Sequence, residues 1–144
     1  MGQQEADIAR SLGLDIGDKR IGVALSDPTA VLASPLTIIN RQDDLADLET
    51  ITSIINQYSV ERVIVGLPRS MDGSIGKQAE KVQAFTQKLR QHTKVPVEFR
   101  DERLSTVSAR RLMRASNTKR ARKESRDDAI AAAIILQAYL DEGA

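Results

Sequence analysis

The chain of 144 residues has no cysteine, a single histidine, very few aromatic residues and no long apolar run. Without cysteine, disulfides, thiolate catalysis and cysteine-based zinc sites are excluded, and nothing argues for a secreted scaffold. Aromatic residues make up 3% of the chain, so base stacking on aromatic platforms is not a route to nucleic-acid binding; charge and hydrogen bonds must serve instead. No stretch reaches transmembrane length. Residues 1–10 are polar and partly acidic, without the basic start and apolar middle of a signal peptide. The expectation is a soluble cytoplasmic protein with no membrane partner. The lone His92, between Gln91 and Thr93, reads as a solvated surface residue rather than a ligand or base.

What is present is a 41% apolar content carried by Ala, Val, Ile and Leu, which suits aliphatic strands packed under helices. The length fits one domain, expected over 11–144 behind a flexible tail at 1–10. The net charge of +1 conceals an asymmetry. Between 103 and 126 stand Arg103, Arg110, Arg111, Arg114, Lys119, Arg120, Arg122, Lys123 and Arg126, opposed only by Glu124. Such a block attracts polyanions over about a Debye length, roughly 8 to 10 Å at physiological salt.

The order of elements follows from hydrophobic period and punctuation. Two short aliphatic runs, 11–16 and 21–26, flank the polar turn Gly17-Asp18-Lys19-Arg20 and predict a hairpin. A third extended stretch, 31–39, contains Pro35, which is tolerated best on a sheet edge. Leu45, Leu48, Ile51, Ile55 and Tyr58 recur at spacings of three and four and predict an amphipathic helix. The β-branched run 62–67 predicts a buried parallel strand. A Gly/Ser/Asp-rich loop reaches Gly76, and a helix follows with Ala79, Val82, Phe85 and Leu89 apolar. A strand over 95–100 comes next, then a helix capped by Ser105 or Thr106 and running to about Ala115. Residues 116–125 read as a mobile basic loop, and a last helix over 126–140 is apolar nearly all round. The result is an α/β fold: a mixed five-stranded sheet in the order 3-2-1-4-5, strand 2 antiparallel, with helices on both faces.

Three places offer carboxylates to one site. Asp15 lies within the first strand, between Leu14 and Ile16, where a charge is costly unless something cationic compensates it. Asp101 and Glu102 end the last strand, at the edge where open α/β sheets build their sites. Alternation sets Asp101 with Val97 and Phe99, and Glu102 with Glu98 and Arg100 on the other face; the longer Glu102 is preferred and Asp101 stays open. Asp127 and Asp128 would begin the last helix; Asp128 shares a face with Ala131, Ala132 and Ile135, and Asp127 stays open. If Asp15, Glu102 and Asp128 converge, their repulsion must be offset, and hard oxygen donors favour Mg²⁺ or Mn²⁺.

Four segments in order, GLDIGDKRIGVALSD (13–27), GLPRSMDGSIG (66–76), DERLST (101–106) and DAIAAAIILQAYL (128–140), resemble the YqgF (RuvX-like) nuclease family over nearly everything from Leu12 onward. The resemblance implies an RNase H-like fold, a cytoplasmic bacterial protein, and a nuclease processing the 5′ end of pre-16S rRNA during ribosome maturation. It implies Asp15, Glu102 and Asp128 as the acidic, metal-holding site, and Lys19, Arg20 and Arg103 as phosphate contacts. The loop with Ser70 and Ser74 offers further amides and hydroxyls to phosphate, and the block from Arg110 to Lys123 steers the backbone. A DNA junction resolvase is the same chemistry on branched DNA and needs a dimer; a monomer or weak homodimer is expected. A non-catalytic antitermination or assembly factor is the alternative of another class. An actin-like ATPase would need a second, similar domain for which the chain has no room.

Overall fold

The computed structural model describes residues 10–68, 76–101 and 120–142, with the backbone alone over 120–127. Five strands, β1 (Arg10–Ile16), β2 (Arg20–Ser26), β3 (Ala33–Asn40), β4 (Val60–Leu67) and β5 (Val97–Asp101), form one sheet in the order β3-β2-β1-β4-β5. β2 runs antiparallel to both β1 and β3, whereas β1, β4 and β5 are parallel. The order and directions are those expected from the sequence. Pro35 sits on the edge strand β3, beside a register shift opposite Val23 and Ala24, where a missing N–H breaks no interior ladder.

Alternation along the strands separates two cores. Leu12, Leu14, Ile16, Ile21, Val23, Val63, Val65 and Val97 face helices α1 (Asp44–Gln57) and α2 (Lys77–His92), meeting Leu48, Ile51, Ile55, Val82, Phe85 and Leu89. Ala24 and Ile64 face the other way, onto Ala132, Ala133, Ile135, Leu136 and Tyr139 of α3 (Arg120–Asp141). α1 begins at Asp43, whose side chain accepts from the Ala46 amide as an N-cap.

Several expectations are corrected. Leu45 was assigned to the apolar stripe of α1 but is 56% exposed. The inward position in the first turn is instead Asp47, only 2% exposed, which no apolar pattern reveals. β3 starts at Ala33, not at 31: the Asp27 carboxylate accepts from the amides of Val31 and Leu32, Ala30 takes a left-handed φ of 61°, and both apolar side chains stay outside. Arg10, assigned to the tail, already belongs to β1; the rest of that tail lies outside the described residues. The loop expected over 116–125 is helical from Arg120, since Arg, Ala, Lys and Glu favour helix and no Gly or Pro interrupts them. Asp127 and Asp128 therefore lie past the second turn of α3, and stabilisation by its N-terminal dipole does not apply to them. The helix expected over 105–115 lies outside the described residues.

α3 lies close to the sheet because two glycines face it. A Cβ on Gly13 would stand 2.8 Å from the Ala132 carbonyl oxygen and 2.9 Å from Leu136 Cβ. At Gly22 the approach is closer still: a Cβ would overlap the Asp128 carbonyl and lie 2.9 Å from the Ala129 nitrogen. On the other side of the sheet, Arg41 ties the β1–β2 turn to α1. Its Nη1 donates to the Gly17 carbonyl at 3.0 Å, its Nε to Asp47 at 3.0 Å and its Nη2 to Asp44 at 3.0 Å, and its guanidinium lies 4.8 Å from the centre of the Phe85 ring.

Two outcomes follow from this packing. Gly22→Ala must push α3 off β2 and should lower the unfolding free energy by about 1 to 3 kcal/mol, the usual range for overpacking; urea titration reads this, and an unchanged midpoint would contradict the contact. Arg41→Ala leaves Asp47 buried without its cation and should cost roughly 3 to 5 kcal/mol in the same assay.

Candidate metal and nucleic-acid site

The carboxyl ends of β1, β4 and β5 share one edge of the sheet, and Asp15 stands there next to the last residue of β1. Asp15 is directly opposite Gly22 in the β1–β2 ladder. Residues opposite each other in an antiparallel pair point to the same face, so Asp15 faces α3 at the level where Asp128 crosses Gly22. α3 runs away from this edge, with Asp128 beside Gly22 and then Ala132 and Leu136 beside Gly13. The backbone of the two turns before Asp128, 120–127, thus extends about 12 Å past the contact. No one of these features is a site alone; their convergence follows from the glycine-lined approach of the helix.

The two carboxylates feel each other. The Asp15 carboxyl is pushed from its ordinary value of 3.8 up to about 6, first by burial and second by the negative charge of Asp128. Among the described residues Asp15 has no hydrogen-bond or ion-pair partner. Asp128 is held differently, with Arg20 Nε donating to its Oδ2 at 2.6 Å and both side chains about a third exposed. Arg20 is on β2 at the same face, two residues before Gly22. Lys19 is exposed in the turn, and the neighbouring Asp18 lies 3.5 Å from Lys81 of α2.

At β5, Val97 and Phe99 join the core under α1 and α2. Glu98 pairs with Arg62 at 3.3 Å, and Arg100 pairs with Glu142 just past the end of α3. Glu98 and Arg100 thus lie on the α3 face, and alternation assigns Asp101 to the opposite one, away from Asp15. The structure brings Asp15 and Asp128 together. Glu102, Ser70, Ser74, Arg103, Arg110, Arg111, Arg114 and Lys119 lie outside the described residues, as do the side chains of Asp127, Arg120, Arg122 and Lys123. Among the described residues no three acidic or histidine side chains gather as a metal cluster. His92 ends α2 exposed, as expected.

Sequence reasoning missed two pairings. It read Arg20 as a phosphate contact and did not find its pairing with Asp128; the Arg-x-Gly spacing that sets Arg20 and Gly22 on one face was the available signal. It also missed Arg41 and Asp47, which brace the turn carrying Lys19 from behind: the Arg41 amide donates to the Lys19 carbonyl at 2.9 Å.

A hard divalent cation fits the donor set: one half-buried carboxylate without a partner among the described residues, a second beside it, and electrostatic strain that a positive charge would relieve. The pH dependence follows with a definite sign. A carboxyl whose folded value exceeds its unfolded one holds its proton more tightly in the folded chain, so its contribution to stability is greatest below about 4 and is lost as pH rises through about 6. In EDTA, Asp15→Asn should therefore be more stable than the wild type by roughly 2 to 3 kcal/mol at pH 7.5, with the gap closing towards pH 4. Denaturant titrations across this range measure it, and a gap independent of pH would refute the assigned strain.

Comparison with known proteins agrees with this architecture. A family model described as "RuvX: Holliday junction resolvase" matches residues 9–142. A protein of Desulforamulus reducens named "Putative pre-16S rRNA nuclease" is 46% identical over 135 residues, covering 94% of this chain and 98% of its own length. One of the same name from Dehalococcoides mccartyi is 51% identical over 127 residues, covering 88% and 94%. Among solved structures, Thermus thermophilus RuvC in complex with a Holliday junction substrate superposes with a TM-score of 0.63 at 14% identity, over 94% of this chain and 96% of that one. Fowlpox virus resolvase with substrate Holliday junction DNA gives 0.53 at 14% identity, over 92% and 97%. These two share the RNase H-like fold seen here. With a family match spanning nearly the whole chain and relatives about half identical to it, the chain belongs to the RuvX family.

Proposed function

We propose that this chain is a metal-dependent nuclease acting on structured RNA in the cytoplasm, and that its reaction trims the 5′ end of pre-16S rRNA. The observation that carries the reading is the meeting of Asp15 with Asp128 on the α3 face of the sheet edge, the carboxyl of the first raised by the charge of the second. The names of the relatives supply the substrate. Asp15, Asp128 and Glu102 are the residues assigned to Mg²⁺ or Mn²⁺. Glu102 is preferred over Asp101 because Asp101 shares the face of β5 with Val97 and Phe99, away from Asp15.

When bound, such an ion lowers the pKa of a coordinated water and stabilises charge on the phosphodiester oxygens. The chain's own residues position the substrate. Asp15 is fixed by a central strand and Asp128 by a packed helix, so neither carboxylate needs to reorganise. Lys19 is exposed in the turn after β1, and the basic residues between Arg103 and Arg126 are assigned to attracting a phosphate backbone without reading sequence.

A second reading, cleavage of four-way DNA junctions, is favoured by the description of the family model. The two are separated by incubating wild type, Asp15→Asn and Asp128→Asn with a pre-16S rRNA fragment carrying an unprocessed 5′ end, a single-stranded RNA and a four-way DNA junction, with and without Mn²⁺. The expected result is metal-dependent cut of the rRNA precursor, reduced about a hundredfold or more in either variant, since even the outer partners of metal ligands are worth about 10- to 100-fold. Symmetric cleavage of the junction alone would assign the resolvase reaction. Tight binding with no cleavage of any substrate would assign a non-catalytic binding factor.

A further inference from the structure

Arg20 has a place in the site that phosphate contact alone does not explain. Its guanidinium is not turned out to solvent but held by Asp128 through a 2.6 Å bond from Nε, at the carboxylate that neighbours the unpartnered Asp15. Arg20 shares its face of β2 with Gly22, the residue over which Asp128 crosses, so strand and helix deliver cation and anion to each other directly. Asp128 thus carries an internal cation at the sheet edge where Asp15 adds a second negative charge.

We propose that Arg20 is a displaceable counter-cation that holds the place of the metal at Asp128 and leaves it when the metal enters. This rests on the metal-holding role assigned above to Asp15 and Asp128. A divalent ion held by the two carboxylates would compete with the guanidinium at Asp128, because like charges a few ångströms apart repel. Both Arg20 and Asp128 are about a third exposed, so the guanidinium can swing to water without breaking the core. Once released at the mouth of the site, it becomes available to a substrate phosphate, which Arg engages in bidentate fashion. Metal and nucleic acid then promote each other's binding, because each favours the state in which Arg20 has left Asp128, and such coupling is reciprocal.

The test measures metal binding, not turnover. Free Mn²⁺ is followed by electron paramagnetic resonance during titration of wild type, Arg20→Gln, Arg20→Lys and Asp15→Asn, alone and with a phosphorothioate RNA duplex that resists cleavage. Removal of a competing, partly exposed ion pair should tighten Mn²⁺ binding to Arg20→Gln by roughly three- to tenfold over wild type. Arg20→Lys, which keeps the charge but lacks the Nε donor, should fall between them. The duplex should tighten Mn²⁺ binding to wild type and leave Arg20→Gln unaffected. Thermal melts give an independent readout in which Mn²⁺ raises the midpoint of Arg20→Gln more than that of wild type. Equal or weaker Mn²⁺ binding by a folded Arg20→Gln overturns the role of Arg20 while the metal site stands. Failure of wild type to bind Mn²⁺ more tightly than Asp15→Asn overturns the metal site, and this role with it.

Discussion

Gly22 has no side chain, and the carbonyl of Asp128 occupies the volume where one would stand. Because side chains directly opposite in an antiparallel ladder share a face, the strand position that receives the helix backbone is also the partner of Asp15. Separation of the helix from β2 by even one methyl group would carry Asp128 away from the central strand. The hydrophobic surface beneath, with Ala24, Ile64, Ala132 and Leu136, then clamps the helix at that height. A packing constraint with no chemistry of its own thus sets the spacing of the two groups that have it.

Two carboxylates are withdrawn from water to different degrees, Asp47 almost completely and Asp15 by about half-burial, and their partners differ as well. Asp47 is nearly sealed from water, but Arg41 Nε and the Gln42 amide donate to its two oxygens, and Arg41 also reaches the Gly17 carbonyl. A buried charge so fully met stabilises the turn and α1 against each other, and its loss would leave an uncompensated charge. Asp15 has no such partner among the described residues and is strained by burial and by Asp128. The contrast between these two aspartates is sharper than anything their local sequences suggest.

The sequence of α3 also carries charges of opposite sign. The basic run enters α3 and Asp128 follows two turns later, where the helix meets the sheet. A net charge near zero is the sum of these two regions and describes neither.

Strand order, the antiparallel opening and the edge place of Pro35 were all readable in advance, because alternation, turn chemistry and crossover handedness are local rules or follow from them. Asp15 was readable too, as a charge within an aliphatic strand. The boundary of α3 was misread, since a basic run free of Gly and Pro looks alike as loop or helix until packing of its later turns nucleates it. Asp47 and Leu45 exchanged places because a stripe of spacings cannot reveal that Arg41, from outside the helix, makes a charge acceptable inside it. The sequence by itself determined which faces are apolar and which residue types could meet at the carboxyl edge. Only the tertiary structure decided that Asp128 meets Asp15 and that Arg20 pairs with Asp128, since those distances depend on how closely a helix can approach two glycines more than a hundred residues away along the chain.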